Sequence, residues 1–277
     1  AGAYDETSSL REVLLAEASY CVDDPSTTIY VPEGATVTAV ISQGTSGGRA
    51  LVGYDATDKT IFVAYRGSSN VRNWIENVKF VKTAPYAAYP DVRVERGFFD
   101  WYSDLNNAGV LDAVVAAGAT YGTTDLKVTG HSAGAACATL FAFDVMTGAA
   151  LADFTLIKST TMGSPRVGDE NFVTLYESFD LLTTRITHYH DLVPHLPQTA
   201  LKYYHVATEV YYDEPNAHFT VCDGSGEDPT CSNSCAPLHC TSVDDHMDYL
   251  NVTLGSDGCT THALQQGGER PALAATA

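Results

Sequence analysis

One stretch of the sequence decides the fold: Asp125-Leu-Lys-Val-Thr-Gly-His-Ser-Ala-Gly-Ala-Ala-Cys-Ala-Thr-Leu-Phe-Ala-Phe143. Its first six residues have the composition of a short buried strand, and 131–147 has that of a helix. Between them, Gly130-His-Ser-Ala-Gly134 matches the G-x-S-x-G pattern of a nucleophile elbow, a sharp strand-to-helix turn that exposes a serine hydroxyl. The stretch therefore predicts an α/β sheet that presents Ser132 as a nucleophile.

Strands and helices alternate around this junction. We predict a helix at 9–19, a hairpin with strands at 50–55 and 60–66, a long helix at 97–119, a strand at 154–163, a helix at 171–179 and a strand at 183–189. Such alternation through the middle of a chain is typical of an α/β fold.

Composition excludes several classes of protein. The 277 residues carry 15 Lys and Arg against 34 Asp and Glu, a formal net charge of −19, and 45% are hydrophobic. Nucleic-acid-binding domains usually have a basic face, so we expect no nucleic-acid partner. No apolar run approaches the roughly 18 residues of a membrane span, so we also expect no transmembrane segment.

Each end of the sequence gives one expectation. The sequence opens Ala1-Gly2-Ala3-Tyr4 without an initiator Met, which we interpret as a processed mature form. Residues 260–277 are rich in Gly, Ala and Gln, and we expect them to form a flexible tail.

Seven cysteines bear on the compartment, four of them between 222 and 240. A zinc site could use Cys231, Cys235, His239 and Cys240, but the paired C-x-x-C spacing of common zinc sites is missing. Disulfide bonds suit an acidic secreted chain better, so we expect an extracellular protein without a bound metal. The odd cysteine, Cys137, lies in an apolar helical pattern that predicts a core position.

A nucleophilic serine needs a base, and the base needs an orienting carboxylate. In this kind of fold the acid and then the histidine follow the serine along the chain. Asp191 comes just after a predicted strand, where sheet-borne sites form. His188, His190 and His195 match no common metal-ligand spacing. The candidates for the base are His205, His218, His239, His246 and His262, and chain order favours His246 over His205 without settling the choice.

A series of motifs carries a family likeness: 65–75 (YRGSSNVRNWI), 130–134 (GHSAG), 163–168 (GSPRVG), 190–197 (HDLVPHLP), 222–234 and 245–249 (DHMDY). In content, order and spacing they resemble the class 3 lipases, the fungal secreted lipases of the Rhizomucor, Rhizopus and Thermomyces type. The likeness covers roughly 10–259.

The resemblance implies an α/β-hydrolase fold at 1–259, one domain with a central mostly parallel sheet, helices on both faces and a short helical lid. It implies Ser132, Asp191 and His246 as the catalytic triad, with Ser68 and the main-chain N–H of Ala133 as oxyanion donors. No cofactor is implied. The implied disulfide bonds are Cys21–Cys259 and Cys222–Cys231, which leaves Cys235 and Cys240 as a third pair.

The segment at 69–78 carries an apolar stripe at helical spacing, formed by Val71, Trp74, Ile75 and Val78. Spacing alone favours an ordinary surface helix packed on a core. In the lipases that this sequence resembles, the segment is a lid over the nucleophile that turns outward at a lipid surface.

These features together predict a secreted, monomeric serine lipase that hydrolyses acylglycerol esters and meets the lipid–water interface peripherally through the lid. Alternatives on the same scaffold are a feruloyl esterase, a phospholipase or a mono/diacylglycerol lipase. A catalytically inactive lipid-binding relative and a cytosolic zinc protein are alternatives from other classes. Asn251-Val-Thr253 is the one N-glycosylation sequon, and we expect Asn251 to be glycosylated.

Overall fold

A computed structural model describes residues 4–21, 29–44, 47–236 and 239–259 of the protein. The expected tail at 260–277 lies outside these residues. The α-helices of the described part include α1 Glu6–Ala18, α2 Val71–Asn77, α3 Arg96–Asn107, α4 Val110–Tyr121, α5 Ala133–Met146 and α6 Glu170–Glu177. Short 3-10 turns include Val193–His195, Ser232–Cys235 and Asp245–Met247.

The described strands build one large sheet and two small hairpins. The strands are β1 Ala35–Ser42, β2 Arg49–Asp55, β3 Thr60–Tyr65, β4 Lys82–Thr83, β5 Val94–Glu95, β6 Asp125–His131, β7 Thr155–Met162, β8 Leu182–His188, β9 Glu209–Tyr212, β10 Phe219–Val221, β11 Asp248–Tyr249 and β12 Val252–Thr253. The large sheet has the order β1-β2-β3-β6-β7-β8-β9-β10, while β4 pairs with β5 and β11 with β12.

The centre of the large sheet is parallel. β3, β6, β7, β8 and β9 run in one direction, and antiparallel strands flank them at both edges. In register, Gly130 lies opposite Tyr65, and Met162 lies opposite both His131 and Ile186. The carboxyl ends of four central strands therefore meet at one edge, as the alternating sequence pattern predicts. This edge carries the site described below.

Helices cover both faces of this sheet. Ile61, Val63 and Tyr65 of β3 pack toward α3, α4 and α5, whereas the alternate residues Phe62 and Ala64 pack toward α1. Because strand side chains alternate between faces, β3 is buried on both sides and reads as an unbroken apolar run. Helix α5 is buried along almost its whole length, which explains its all-round apolar and small residues.

Two helix predictions need correction. The single helix predicted at 97–119 is two helices, because Gly109 between α3 and α4 has a φ of 116° that a continuous helix cannot accommodate. The first helix begins at Glu6 rather than at 9. Its N-cap is Asp5, whose carboxylate accepts from the N–H groups of Thr7 and Ser8.

Three disulfide bonds lie within the described residues: Cys21–Cys259, Cys222–Cys231 and Cys235–Cys240. The first joins the end of α1 to a point 238 residues later in the chain. Cys137 is a buried free thiol in α5, as its apolar surroundings predict. Among the described residues, no helix combines the length and the apolar character that crossing a membrane requires.

Glu17 is an acid buried in α1 beside the first disulfide. Its side chain is 1% exposed, and its Oε2 has no hydrogen-bond partner among the described residues. Burial penalises the charged carboxylate and raises its pKa to about 7. Since the unfolded chain ionises near pH 4.3, the folded state binds more protons between roughly pH 4 and 7.

We therefore predict that the free energy of unfolding falls as pH rises through this window and levels off above about pH 7. Glu17 alone accounts for about 2–3 kcal/mol between pH 5 and pH 8. Urea unfolding of the wild type and Glu17→Gln at both pH values measures this difference, which the variant should lack. The exposed control Glu33→Gln should keep it, and equal pH dependence in all three proteins would contradict the prediction.

Candidate active site

Ser132 lies at the turn between β6 and α5, with a backbone φ of 59° and ψ of −131°. A non-glycine residue adopts this region only where the surroundings enforce it. The flanking glycines allow the turn to close. A Cβ on Gly130 would lie 2.4 Å from the carbonyl oxygen of Gly134, and one on Gly134 would lie 2.3 Å from that of Tyr65. The pattern read from the sequence therefore has a packing reason at each glycine.

Asp191 and His246 form a buried pair. His246 Nδ1 donates to Asp191 Oδ2 over 2.8 Å, and the two side chains are 0% and 1% exposed. Asp191 lies three residues past the end of β8, and its Oδ1 accepts from Val193 N at 2.8 Å. Tyr249 donates a further hydrogen bond to Oδ2. These contacts fix the carboxylate and aim it at the imidazole.

The Asp191 contact also fixes the tautomer of His246. With its proton on Nδ1, the neutral ring presents a lone pair at Nε2, as a general base requires. His246 Nε2 and Ser132 Oγ are both fully buried, and neither has a hydrogen-bond partner among the described residues. Buried polar atoms without partners are uncommon and point to a reacting site.

The other histidines considered for the base lie elsewhere. The ring of His205 donates to a main-chain carbonyl. His218 pairs with Asp213 at the surface, where its side chain is 84% exposed. His239 lies in the loop closed by the third disulfide, and His262 falls outside the described residues. The geometry thus favours His246, where chain order alone leaves two histidines open.

The loop after β3 approaches the elbow closely. A Cβ on Gly67 would lie 2.8 Å from the Cβ of Ser132, so a side chain at position 67 would collide with the nucleophile. Ser68 follows, and its Oγ accepts from Asn70 N at 3.2 Å. Ala133, directly after the nucleophile, is the first residue of α5. Of the two residues expected to bind an oxyanion, Ser68 therefore follows a residue packed against Ser132, and Ala133 follows Ser132 itself.

Helix α2 carries the apolar stripe predicted for a lid. Val71 is buried, Trp74 stacks on Phe98 with ring centroids 5.9 Å apart, and Ile75 and Val78 are half-buried. The opposite face, Arg72, Asn73, Glu76 and Asn77, is exposed. A cleft between the first turn of α2 and the segment that carries His246 is lined in part by Ser68, Val71, Val243 and Met247.

The cysteine-rich segment holds no free thiolate in the described residues. The zinc alternative would need the sulfurs of Cys231, Cys235 and Cys240, and disulfide bonds consume all three.

Asn251, the residue expected to be glycosylated, is exposed, and its side chain donates to the carbonyl of Asn216 at 3.4 Å.

Sequence reasoning missed three residues of this region. Tyr249 and Gly163 lie within motifs quoted above, but nothing in those motifs indicates a contact with the acid–base pair. A Cβ on Gly163 would lie 2.8 Å from the His246 ring and 2.9 Å from Asp191 Oδ2. Tyr20, next to Cys21, reaches the elbow from the end of α1, and nothing in the sequence around it indicates that contact.

Comparison with known proteins identifies the family. The model of the class 3 lipase family matches residues 62–201, just over half of the chain. Together with the site geometry, this places the chain in the class 3 lipase family, and the likeness read from the motifs is confirmed.

Two curated relatives show how far the similarity extends. A lipase of Rhizomucor miehei is 36% identical over 211 residues, which cover 74% of this chain and 56% of the relative. A secreted mono- and diacylglycerol lipase of Penicillium cyclopium is 32% identical over 215 residues, which cover 76% and 66%. The chain thus spans between half and two-thirds of the length of these relatives.

A solved structure of the Rhizomucor miehei triacylglyceride lipase superposes with a TM-score of 0.81 at 29% sequence identity. The match covers 94% of this chain and 98% of that one. The central parallel sheet with helices on both faces is therefore the α/β-hydrolase fold, as expected.

Gly163 provides a test of the site that removes no reacting group. Gly163→Ala adds one methyl group where His246 and Asp191 already lie within 2.9 Å, so we predict that it displaces the pair. Misplacing a catalytic group by about 1 Å costs roughly 100-fold in rate, and we expect kcat to fall at least tenfold. Steady-state hydrolysis of a soluble ester measures the change.

The control is Gly224→Ala. Both glycines have positive φ, 54° and 83°, but a Cβ on Gly224 would meet nothing within 4 Å. The control therefore carries the backbone strain without the collision, and its kcat should stay near that of the wild type. Equal losses of kcat in the two variants would show that strain, not displacement of the pair, is responsible.

Proposed function

We propose that this protein is a serine carboxylic ester hydrolase, a lipase that cleaves acylglycerols at a lipid–water interface. The observation that carries the proposal is the buried Asp191–His246 pair, 2.8 Å between Oδ2 and Nδ1, beside the strained turn that presents Ser132. This arrangement matches the nucleophile, the base and the orienting carboxylate of acyl transfer.

In the first half-reaction, Ser132 Oγ attacks the acyl carbonyl carbon while His246 Nε2 accepts the hydroxyl proton. Asp191 holds the imidazole in its tautomer and stabilises the positive charge that develops. The N–H groups of Ser68 and Ala133 bind the oxyanion, and each such donor is worth about 3–4 kcal/mol. The carbon–oxygen bond to the alcohol then breaks, and His246 returns its proton to the leaving alkoxide.

In the second half-reaction, His246 takes a proton from water, and the resulting hydroxide attacks the acyl-enzyme. The bond to Ser132 Oγ breaks, the proton passes from His246 to that oxygen, and the fatty acid leaves. Side chains and main-chain N–H groups of the chain itself carry both half-reactions, so neither of them calls on a cofactor.

Helix α2 acts as the lid in this proposal. Turning it outward exposes Val71 and the half-buried Trp74, Ile75 and Val78 to water. At about 25 cal/mol per Å² this exposure costs several kcal/mol. A lipid surface removes that cost, so contact with lipid shifts the population toward the open state. At seven residues, α2 is too short to be a stable helix by itself and depends on what it packs against.

The apolar stripe of the lid favours lipid esters over feruloyl esters. A relative that is a secreted mono- and diacylglycerol lipase, and another described as a phospholipase A1, keep partial glycerides and phospholipids as alternatives. The intact Ser132, Asp191 and His246 argue against an inactive lipid-binding protein. Triacylglycerol remains the first substrate to test.

We also propose that residues 1–259 form one domain and that the protein acts extracellularly as a monomer. The three disulfide bonds of the described residues support an oxidising compartment. The exposed Asn251 is accessible for glycosylation. Contact with lipid is peripheral and runs through the lid.

The test is the rate of hydrolysis of a medium-chain triacylglycerol, measured through its solubility limit, with methyl ferulate in parallel. We predict a jump in rate once droplets form, because the interface opens the lid, and no turnover of ferulate. A mono- or diacylglycerol and a phospholipid, assayed alongside, rank the alternatives.

Two variants make this assay specific. Ser132→Ala should reduce the rate by at least about a thousandfold, since it removes the nucleophile. Ser178→Ala, an exposed serine at the end of α6, should change nothing. Smooth saturation on ferulate without a response to droplets would replace the lipase proposal with a feruloyl esterase. Absence of any Ser132-dependent turnover would support the inactive lipid-binding protein.

A further inference from the structure

A chain of buried hydrogen bonds links the three segments that carry the proposed catalytic groups. Gly67 N donates to the hydroxyl of Tyr20 at 3.1 Å. That hydroxyl lies 2.7 Å from His131 Nδ1, and His131 Nε2 lies 2.7 Å from the carbonyl oxygen of His246. Tyr20 is 3% exposed, and the side chains of His131 and His246 are fully buried. None of these bonds belongs to a helix or a sheet ladder.

The proton positions in this chain follow from one fact. A carbonyl oxygen only accepts, so His131 Nε2 carries a proton and donates it to His246. In a neutral ring, Nδ1 is then an acceptor, and the Tyr20 hydroxyl donates to it while accepting from Gly67 N. Burial, followed by the proximity of His246, lowers the pKa of His131 well below its ordinary value, which keeps the ring neutral.

Each end of this hydrogen-bond series fixes one part of the proposed catalytic machinery. Gly67 precedes Ser68, a proposed oxyanion donor. His131 precedes the nucleophile Ser132. The carbonyl at the far end belongs to His246 itself, and the two imidazole rings lie 4.5 Å apart. The three segments lie far apart in the sequence, and within the described residues no strand pairing joins position 67 or 246 to the elbow.

We propose that Tyr20 and His131 are positioning residues, and that they hold the oxyanion donor of Ser68 and the base His246 in register with Ser132. The inference rests on the function proposed above. Neither residue touches the reacting atoms in this role: they act through the main chain of Gly67 and His246. Losing a link loosens the transition-state geometry while leaving ground-state binding of the ester largely intact.

The first experiment is Tyr20→Phe, assayed on a water-soluble short-chain ester below its solubility limit. Removing a direct oxyanion donor costs about 100- to 1,000-fold in kcat. A positioning residue only displaces such a donor, so we expect a loss of about tenfold to 100-fold in kcat. KM should change by less than about threefold, since binding energy is retained.

The matched control is Tyr176→Phe. Tyr176 is 2% exposed, and its hydroxyl is hydrogen-bonded to Thr183 Oγ1 at 3.1 Å. The control variant therefore removes a hydrogen-bonded phenolic hydroxyl that is as buried as that of Tyr20. Both variants should lose similar thermal stability. Only Tyr20→Phe should lose kcat, because the hydroxyl of Tyr176 bonds Thr183 of β8 and not a residue of the elbow.

A second variant tests the same series of hydrogen bonds at its His246 end. His131→Gln retains an amide donor at the reach of Nε2 for the His246 carbonyl but removes the acceptor that Tyr20 uses. His205→Gln is its control, since His205 is also buried and its Nε2 donates to a main-chain carbonyl at 2.7 Å. If Tyr20 and His131 act through one series of hydrogen bonds, kcat of the double variant Tyr20→Phe/His131→Gln should be little lower than kcat of either single variant.

The outcomes separate this inference from the proposed function. A wild type without Ser132-dependent ester hydrolysis would remove the function and the inference together. An active wild type with kcat equally unaffected in Tyr20→Phe and Tyr176→Phe would overturn the inference alone. Losses that multiply in the double variant would also overturn it, because the two side chains would then act independently. If Tyr20→Phe fails to fold, His131→Gln against His205→Gln decides the matter by the same comparison of kcat and KM.

Discussion

The closed turn at Ser132 is the constraint on which the rest of the site depends. A residue with a side chain is held at a φ of 59°, and the turn exists only because neighbouring main chains come within van der Waals contact of it. Glycines at 67, 130 and 134 provide that room, one on the loop after β3 and two within the elbow. The sheet register then brings the ends of β3, β6 and β7 to the same level.

The elbow could be predicted from the sequence because its determinants are local. A strand, a glycine pair and a buried helix lie within about twenty consecutive residues, and each element has its own periodicity. The partnership of Asp191 and His246 is different, since 55 residues separate them. No periodicity encodes a contact across that distance. The residues alone favour His246 over His205 without settling the choice, and the family resemblance selects His246.

Other features that the sequence does not reveal also depend on contacts between distant parts of the protein. Tyr20 is an ordinary residue just after a helix, and its hydroxyl matters only because α1 ends beside the elbow. The break at Gly109 does have a local signal, Asn106-Asn-Ala-Gly109, since Asn and Gly are typical of helix ends, but the apolar residues on either side of it are interpreted as one long helix. The edge strands β1 and β10 have weaker apolar patterns than the central strands, since β1 buries only some of its residues and β10 exposes all 3 of its own.

The disulfide between Cys21 and Cys259 has a topological consequence. It brings two residues that are 238 positions apart to a Cα–Cα distance of 5.4 Å, so the chain between them forms a covalently closed ring. One peptide-bond cleavage at any exposed loop within that ring opens it without releasing a fragment. The cut halves stay tethered, and the site, which both halves build, can survive a nick that would dismantle a linear chain.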